Sequence, residues 1–254
     1  MFKYVHFAKS ALVRRLYANS TDSVDIAKQI QLFEKLGLDR ELGLERINKL
    51  CKAKFDKAYS EQNGMWSEHL VLMAAISLSN RDVKSILEIG TFEGETTLIL
   101  NELFPGSSIE TIDLARQEIL DQGIYNYAAE SIVDSQEKMK SDNINFRVMN
   151  SVGLINYIDK YDLIWVDGTH TSPVSIIDIT NSIRLLSQNG IAICDDVYLE
   201  PNAMDLVSDV SSIETLRTFQ DSGHISYELI RKRVSKRFNN FLVKPKFLGI
   251  YWVR

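Results

Sequence analysis

The chain has 254 residues, 45% of them hydrophobic and 25% charged, enough to bury one full core and carry an appendage. No apolar run approaches the ~20 residues that span a bilayer, and the two cysteines, Cys51 and Cys194, are too few for a disulfide framework and fit no metal-cluster spacing; both read as reduced, which points to the cytoplasm. The net charge of −5 hides basic ends: residues 1–21 hold four Lys or Arg and no acid, residues 231–254 hold eight and no acid, and the −17 left between them argues against a broad nucleic-acid-binding face.

Residues 2–17 are basic and amphipathic at roughly helical spacing. A targeting presequence, a membrane-surface helix and a helix packed on the domain or on a second subunit all fit; packing in a homo-oligomer is the expectation. Residues 22–60 read as helical, with Ile26, Ile30, Phe33 and Leu36 on one face and Gly37 as a C-cap, then Leu42, Leu44, Ile47, Leu50 and Phe55 on another. This makes residues 1–64 an α-helical extension and 65–254 the main domain. After a loop at 61–65, a helix at 66–79 leads to the first strand.

From Ser85 onward strands and helices alternate. Strands are expected at 85–90, 108–113, 144–149, 161–167 and 191–195, with helices at about 94–104, 125–140, 173–187 and 203–220. Runs at 225–231 and 247–253, joined by a basic loop, are expected to pair antiparallel. Such alternation implies an α/β fold with a doubly wound, mostly parallel sheet covered on both faces.

Ser85–Leu100, "SILEIGTFEGETTLIL", reads as strand, glycine turn and helix start, the place where an open α/β sheet holds a nucleotide-like ligand. The dinucleotide fingerprint G-x-G-x-x-G fails here, because Phe92 and Glu95 stand at its second and third glycines, and the Gly-Lys-Ser/Thr of a phosphate loop is absent. Glu88, Glu93 and Glu95 crowd the turn. They repel a pyrophosphate and suit a ligand with cationic groups, such as S-adenosylmethionine, which has an ammonium and a sulfonium and no phosphate.

"LEIGTFEGETT" resembles the first motif of the class I S-adenosylmethionine-dependent methyltransferases. The resemblance implies a Rossmann-like sheet of seven strands, with the cofactor on Glu88, Gly90, Thr91, Gly94 and Thr96, its ribose on Asp113, its adenine near Asn150 and Ser151, and a further contact from Asp167.

Downstream, "IWVDGTH" places Asp167 and His170, and "IAICDDV" places Asp195 and Asp196, at the edge where Gly90 lies. Converging carboxylates repel one another, and a hard divalent cation removes the conflict. The two motifs resemble those of the metal-dependent O-methyltransferases, and Asp195-Asp196 sides with the macrocin-type sugar branch rather than the catechol branch. The resemblance implies Asp167, Asp195 and Asp196 as ligands of Mg²⁺, with Ca²⁺ or Mn²⁺ as alternatives, and a small-molecule or sugar acceptor. Relatives often carry a second Asp where this chain has Thr169, so His170 becomes the candidate general base; its plainer reading is a histidine that caps the next helix or touches a carboxylate. A metal-independent methyltransferase and a non-catalytic cofactor-binding subunit are the competing readings. The basic run from Arg231 to Lys246 reads as a solvated hairpin, with attraction to an anionic acceptor as the functional alternative.

Overall fold

A computed structural model describes residues 26–115, 139, 141–201, 209–235 and 245–254. The expected helices at 2–17 and 125–140, the start of the one at 203–220 and most of the loop before 247 lie outside these residues. The described elements are helices α1 (Ile26–Lys35), α2 (Arg40–Phe55) and α3 (Glu68–Leu78), then β1 (Ser85–Ile89), α4 (Glu95–Leu103), β2 (Ser108–Asp113), β3 (Ile144–Val148), a 3-10 turn (Ser151–Asn156), β4 (Tyr161–Val166), α5 (Val174–Leu185), β5 (Leu186–Tyr198), α6 (Ser211–Asp221), β6 (Ile225–Arg231) and β7 (Lys246–Val253).

The seven strands form one sheet in the order β3-β2-β1-β4-β5-β7-β6. β1 through β5 pair parallel. β7 runs antiparallel to both β5 and β6, which is the pairing expected of the last two strands. Consequently β6 ends, and β7 begins, at the same edge as the carboxyl ends of the parallel strands. β5 is longer than expected: the helix before it stops at Leu185 and the strand starts at Leu186, well before the Asn189-Gly190 turn signal.

Period-two alternation sends side chains to two cores. Ile86, Leu163, Trp165, Ile191 and Ile193 meet α1 to α4, while Leu87, Ile164, Val166, Ala192 and Cys194 meet α5 and α6. The three N-terminal helices therefore cover one sheet face: Phe33, Ile47 and Cys51 lie in the same cluster as the strand residues. α3 is apolar all round because α2 covers it outside and the sheet inside, as the burial of Leu70 through Ile76 records. The α2–α3 crossing is close at Gly43, where a Cβ would stand 2.6 Å from the Val71 carbonyl oxygen.

Charge locks this layer. Arg40 grips the buried Glu68 with two hydrogen bonds, Nε to Oε2 at 2.8 Å and Nη2 to Oε1 at 2.7 Å. Gln29 bridges Glu68 at 3.3 Å and the Arg231 carbonyl at 3.0 Å, joining α1 to β6. Trp66 and Glu68, at the start of this layer's third helix, are both buried. Among the described residues no helix is long and apolar enough to cross a membrane.

Breaking a buried pair from one side strands the other charge. Glu68→Ala is expected to cost about 3–5 kcal/mol of unfolding free energy in urea titration; a loss under about 1 kcal/mol would show that Arg40 is served by the exposed Glu41 alone.

Candidate active site

The glycine turn is built by close approach. Gly90 has φ +97, and a Cβ there would lie 2.3 Å from the Asp167 carbonyl oxygen, so β1 and β4 meet at their ends only with glycine at this position. Phe92 adopts φ 48, left-handed for a residue with a side chain, and Asp113 rewards it: its Oδ2 accepts the Phe92 N–H at 2.6 Å while Oδ1 accepts the Leu114 N–H at 2.7 Å. The acid at the end of β2 thus holds the loop and keeps lone pairs for further donors. Burial raises its pKa against those backbone hydrogen bonds.

Glu88 and Thr91 face inward. Glu88 accepts from Thr97 and, at 2.7 Å, from Thr111, whose hydroxyl also lies 2.6 Å from that of Thr91. This network ties β1, β2 and α4 together beneath the loop. Burial pushes the Glu88 carboxyl up to about 7, against the hydrogen bonds from Thr97 and Thr111, and its Oε1 has no partner among the described residues. Thr96 lies half-buried in the first turn of α4. Asn150 caps the 3-10 turn through its Oδ1, which accepts the Val152 N–H at 3.0 Å, and Ser151 opens that turn.

The second half of the site gathers Asp167, His170, Asp195 and Asp196. His170 Nε2 is 3.5 Å from Asp167 Oδ1. Burial lowers the His170 pKa from the ordinary imidazole value, against the pull of the neighbouring Asp196 and Asp195 carboxylates. One atom each from Asp167, His170 and Asp195 lies within 4.8 Å of the others. Burial and Asp195 raise the Asp167 pKa well above the carboxylate range. Asp195 Oδ1 is buried with no hydrogen-bond partner among the described residues.

The basic run contributes the positive charge. Lys232 is 5% exposed, in place of the solvated side chain expected there. Its Nζ lies 2.5 Å from Asp195 Oδ2 and 2.6 Å from Asp196 Oδ1, and Lys246 Nζ lies 2.5 Å from Asp196 Oδ2. Asp196 is therefore engaged by two ammonium groups and stands outside the Asp167–His170–Asp195 group. The three-aspartate set does not fit a divalent ion: two of its carboxylates already have counter-charges, and an ion between them would face Lys232 at close range. Sequence reasoning missed both lysines. The available signal was positional, since Lys232 follows one strand and Lys246 opens the next at the carboxyl edge.

His69 is buried, stacks on Trp165 at 5.0 Å and contacts Ser67 at 2.7 Å; burial pulls its pKa down to about 3.

Comparison with known proteins agrees with this geometry. Residues 87–197 match a family model described as a methyltransferase domain. The chain is similar to the O-methyltransferase ankF of Aspergillus thermomutatus, 25% identical over 199 residues, covering 78% of this chain and 76% of that protein. Two solved structures share the fold: cofactor-bound Rv0187 from MTB (TM-score 0.53, 18% identity, 90% of this chain and 89% of that one) and the SAH-bound methyltransferase PaMTH1 of Podospora anserina (TM-score 0.52, 16% identity, 84% and 88%).

Glu88 sets a sign for stability against pH. Its carboxyl ionises near 4.5 when free and at about 7 when folded, so the stability it contributes below pH 4.5 is lost as the pH rises toward 7. Glu88→Gln removes that loss. The variant is expected to gain roughly 3 kcal/mol over the parent at about pH 8.5 compared with about pH 4.5, read from denaturant melts at both; a pH-independent difference would contradict the buried-carboxyl assignment.

Proposed function

We propose that this class I S-adenosylmethionine-dependent methyltransferase transfers its methyl group to a hydroxyl oxygen of a small-molecule or sugar acceptor. The observation that carries the reading is the His170 imidazole, its Nε2 held 3.5 Å from the Asp167 carboxyl beside the glycine turn. The relative named as an O-methyltransferase supports oxygen as the acceptor atom.

Bound at the turn, S-adenosylmethionine supplies a methyl group on a positively charged sulfur. The residues divide the remaining work. Gly90 and Gly94 leave backbone bare for the methionine part, and Asp113 accepts hydrogen bonds from the ribose hydroxyls. Glu93 and Glu95 would offer negative charge to the cationic groups, and Asp167 would offer a hydrogen-bonding partner. Asp167 orients the His170 ring, and the ring nitrogen turned away from Asp167 takes the acceptor's hydroxyl proton.

Asp113→Ala is expected to weaken S-adenosylmethionine binding at least tenfold by calorimetry, from the loss of charged hydrogen bonds. His170→Asn is expected to lower kcat about 10²–10⁴-fold while the cofactor Kd stays within about twofold. In the parent, the acid-side fall in kcat/KM is expected at a lower pH than a free imidazole would give, because burial lowers the His170 pKa; a fall centred above the free-imidazole range would contradict His170 as the base. Cofactor binding with no methyl transfer across a panel of phenols and sugars would remove the hydroxyl-acceptor reading.

A further inference from the structure

β5 carries two consecutive acids, and in a regular strand they would point to opposite faces. Here they meet one ammonium. The β5–β7 register shifts between Cys194 and Val197, and Asp196 takes φ 50 inside that irregularity. The kink turns both carboxylates toward Lys232 Nζ, at 2.5 Å and 2.6 Å.

Lys232 is held on every side. Its N–H donates to the Lys246 carbonyl at 3.0 Å, and its own carbonyl accepts the Glu68 N–H at the start of α3, also at 3.0 Å. The Glu61 carboxylate accepts the N–H groups of Val234 at 2.7 Å and Ser235 at 2.8 Å, and Arg233 reaches the Glu61 carbonyl at 2.5 Å. The other side of Asp196 is closed by Lys246, whose ammonium also lies 5.2 Å from the Tyr198 ring centre. A flexible surface lysine has none of these constraints. The backbone on both sides of Lys232 is fixed, so its ammonium is delivered to one point between two carboxylates.

We propose that Lys232 is the resident cation of this site: it supplies the positive charge that the converging aspartates require, positions Asp195 beside Asp167 and His170, and makes methyl transfer independent of divalent cations. Three carboxylates at one edge need positive charge within a few ångströms. Lys232 and Lys246 provide it from the chain itself, and a divalent ion brought to Asp195 would be opposed by the ammonium already on that carboxylate. Lys232 acts through Asp195 and is a positioning residue. The inference deepens the proposed reaction and rests on it only for the part that concerns turnover.

The test separates the two. Mn²⁺ is titrated into the parent, Lys232→Met and Lys232→Arg, with free Mn²⁺ read by electron paramagnetic resonance and the melting temperature followed in parallel. The parent and Lys232→Arg are expected to show no Mn²⁺ binding below about 1 mM and no melting shift. Lys232→Met, left with free carboxylates, is expected to bind Mn²⁺ at least tenfold more tightly and to melt higher when it is added. Parent turnover should stay within about twofold in EDTA, whereas Lys232→Met should lose at least tenfold in kcat and recover part of it with Mn²⁺. Micromolar Mn²⁺ binding by the parent, or a parent that stops in EDTA, overturns the proposal while leaving the methyltransferase reading intact. A folded Lys232→Met with no Mn²⁺ affinity overturns it as well. Should Lys232→Met fail to fold, the parent and Lys232→Arg titrations decide the question alone.

Discussion

Gathering carboxylates at the carboxyl edge of a parallel sheet is an electrostatic problem, and the rest of this molecule is arranged around its solution. Asp167, Asp195 and Asp196 come together because β4 and β5 are neighbours and Val166 pairs with Cys194, so the residues that follow each lie at one level. Left alone they would repel one another and take up protons. The chain answers with the last two strands: β7 is inserted antiparallel between β5 and β6, and that insertion brings Lys232 and Lys246 to the edge. The antiparallel strand that completes the sheet is also the element that neutralises it.

This solution depends on the N-terminal helices. Glu61 clasps the segment after Lys232, and the first turn of α3 caps the Lys232 carbonyl. Glu68 is in turn fixed by Arg40 and Gln29, and Gln29 also bonds the end of β6. A chain of hydrogen bonds therefore runs from α1 and α2 to the site through Glu68 and Lys232. The helical layer serves the core and the electrostatics together, since the helices that cover one sheet face also anchor the strand end that carries the ammonium.

The cofactor half is built differently. It relies on steric permission and a buried network rather than on ion pairs. Gly90 lets two strand ends touch, Phe92 accepts an unfavourable φ because Asp113 takes its N–H, and Glu88 ties the loop to β2 and α4 through hydroxyl groups. Each half keeps unsatisfied capacity toward the cleft: lone pairs on Asp113, and Oδ1 on Asp195. Glu88, the acid that crowded the turn in the sequence, spends its lone pairs inward.

Local pattern was enough to read most of the fold. Alternating apolar periods, Gly37 at a helix end, and Gly90 and Gly94 at a turn act over a few residues, and the structure places their strands and helices close to where those signals put them. Asp113, Asp167, Asp195 and Asp196 were legible as edge residues for the same reason, because strand order alone sends carboxyl ends to one side. What the sequence could not decide was where charges meet. Lys232 lies 37 residues beyond Asp195 in a run that looked solvated, and its burial requires the β6–β7 pairing, the Glu61 clasp and the kink at Asp196 together. A side chain's electrostatic partner depends on distance in space, and in a parallel sheet that distance is set by strand order and register rather than by separation along the chain.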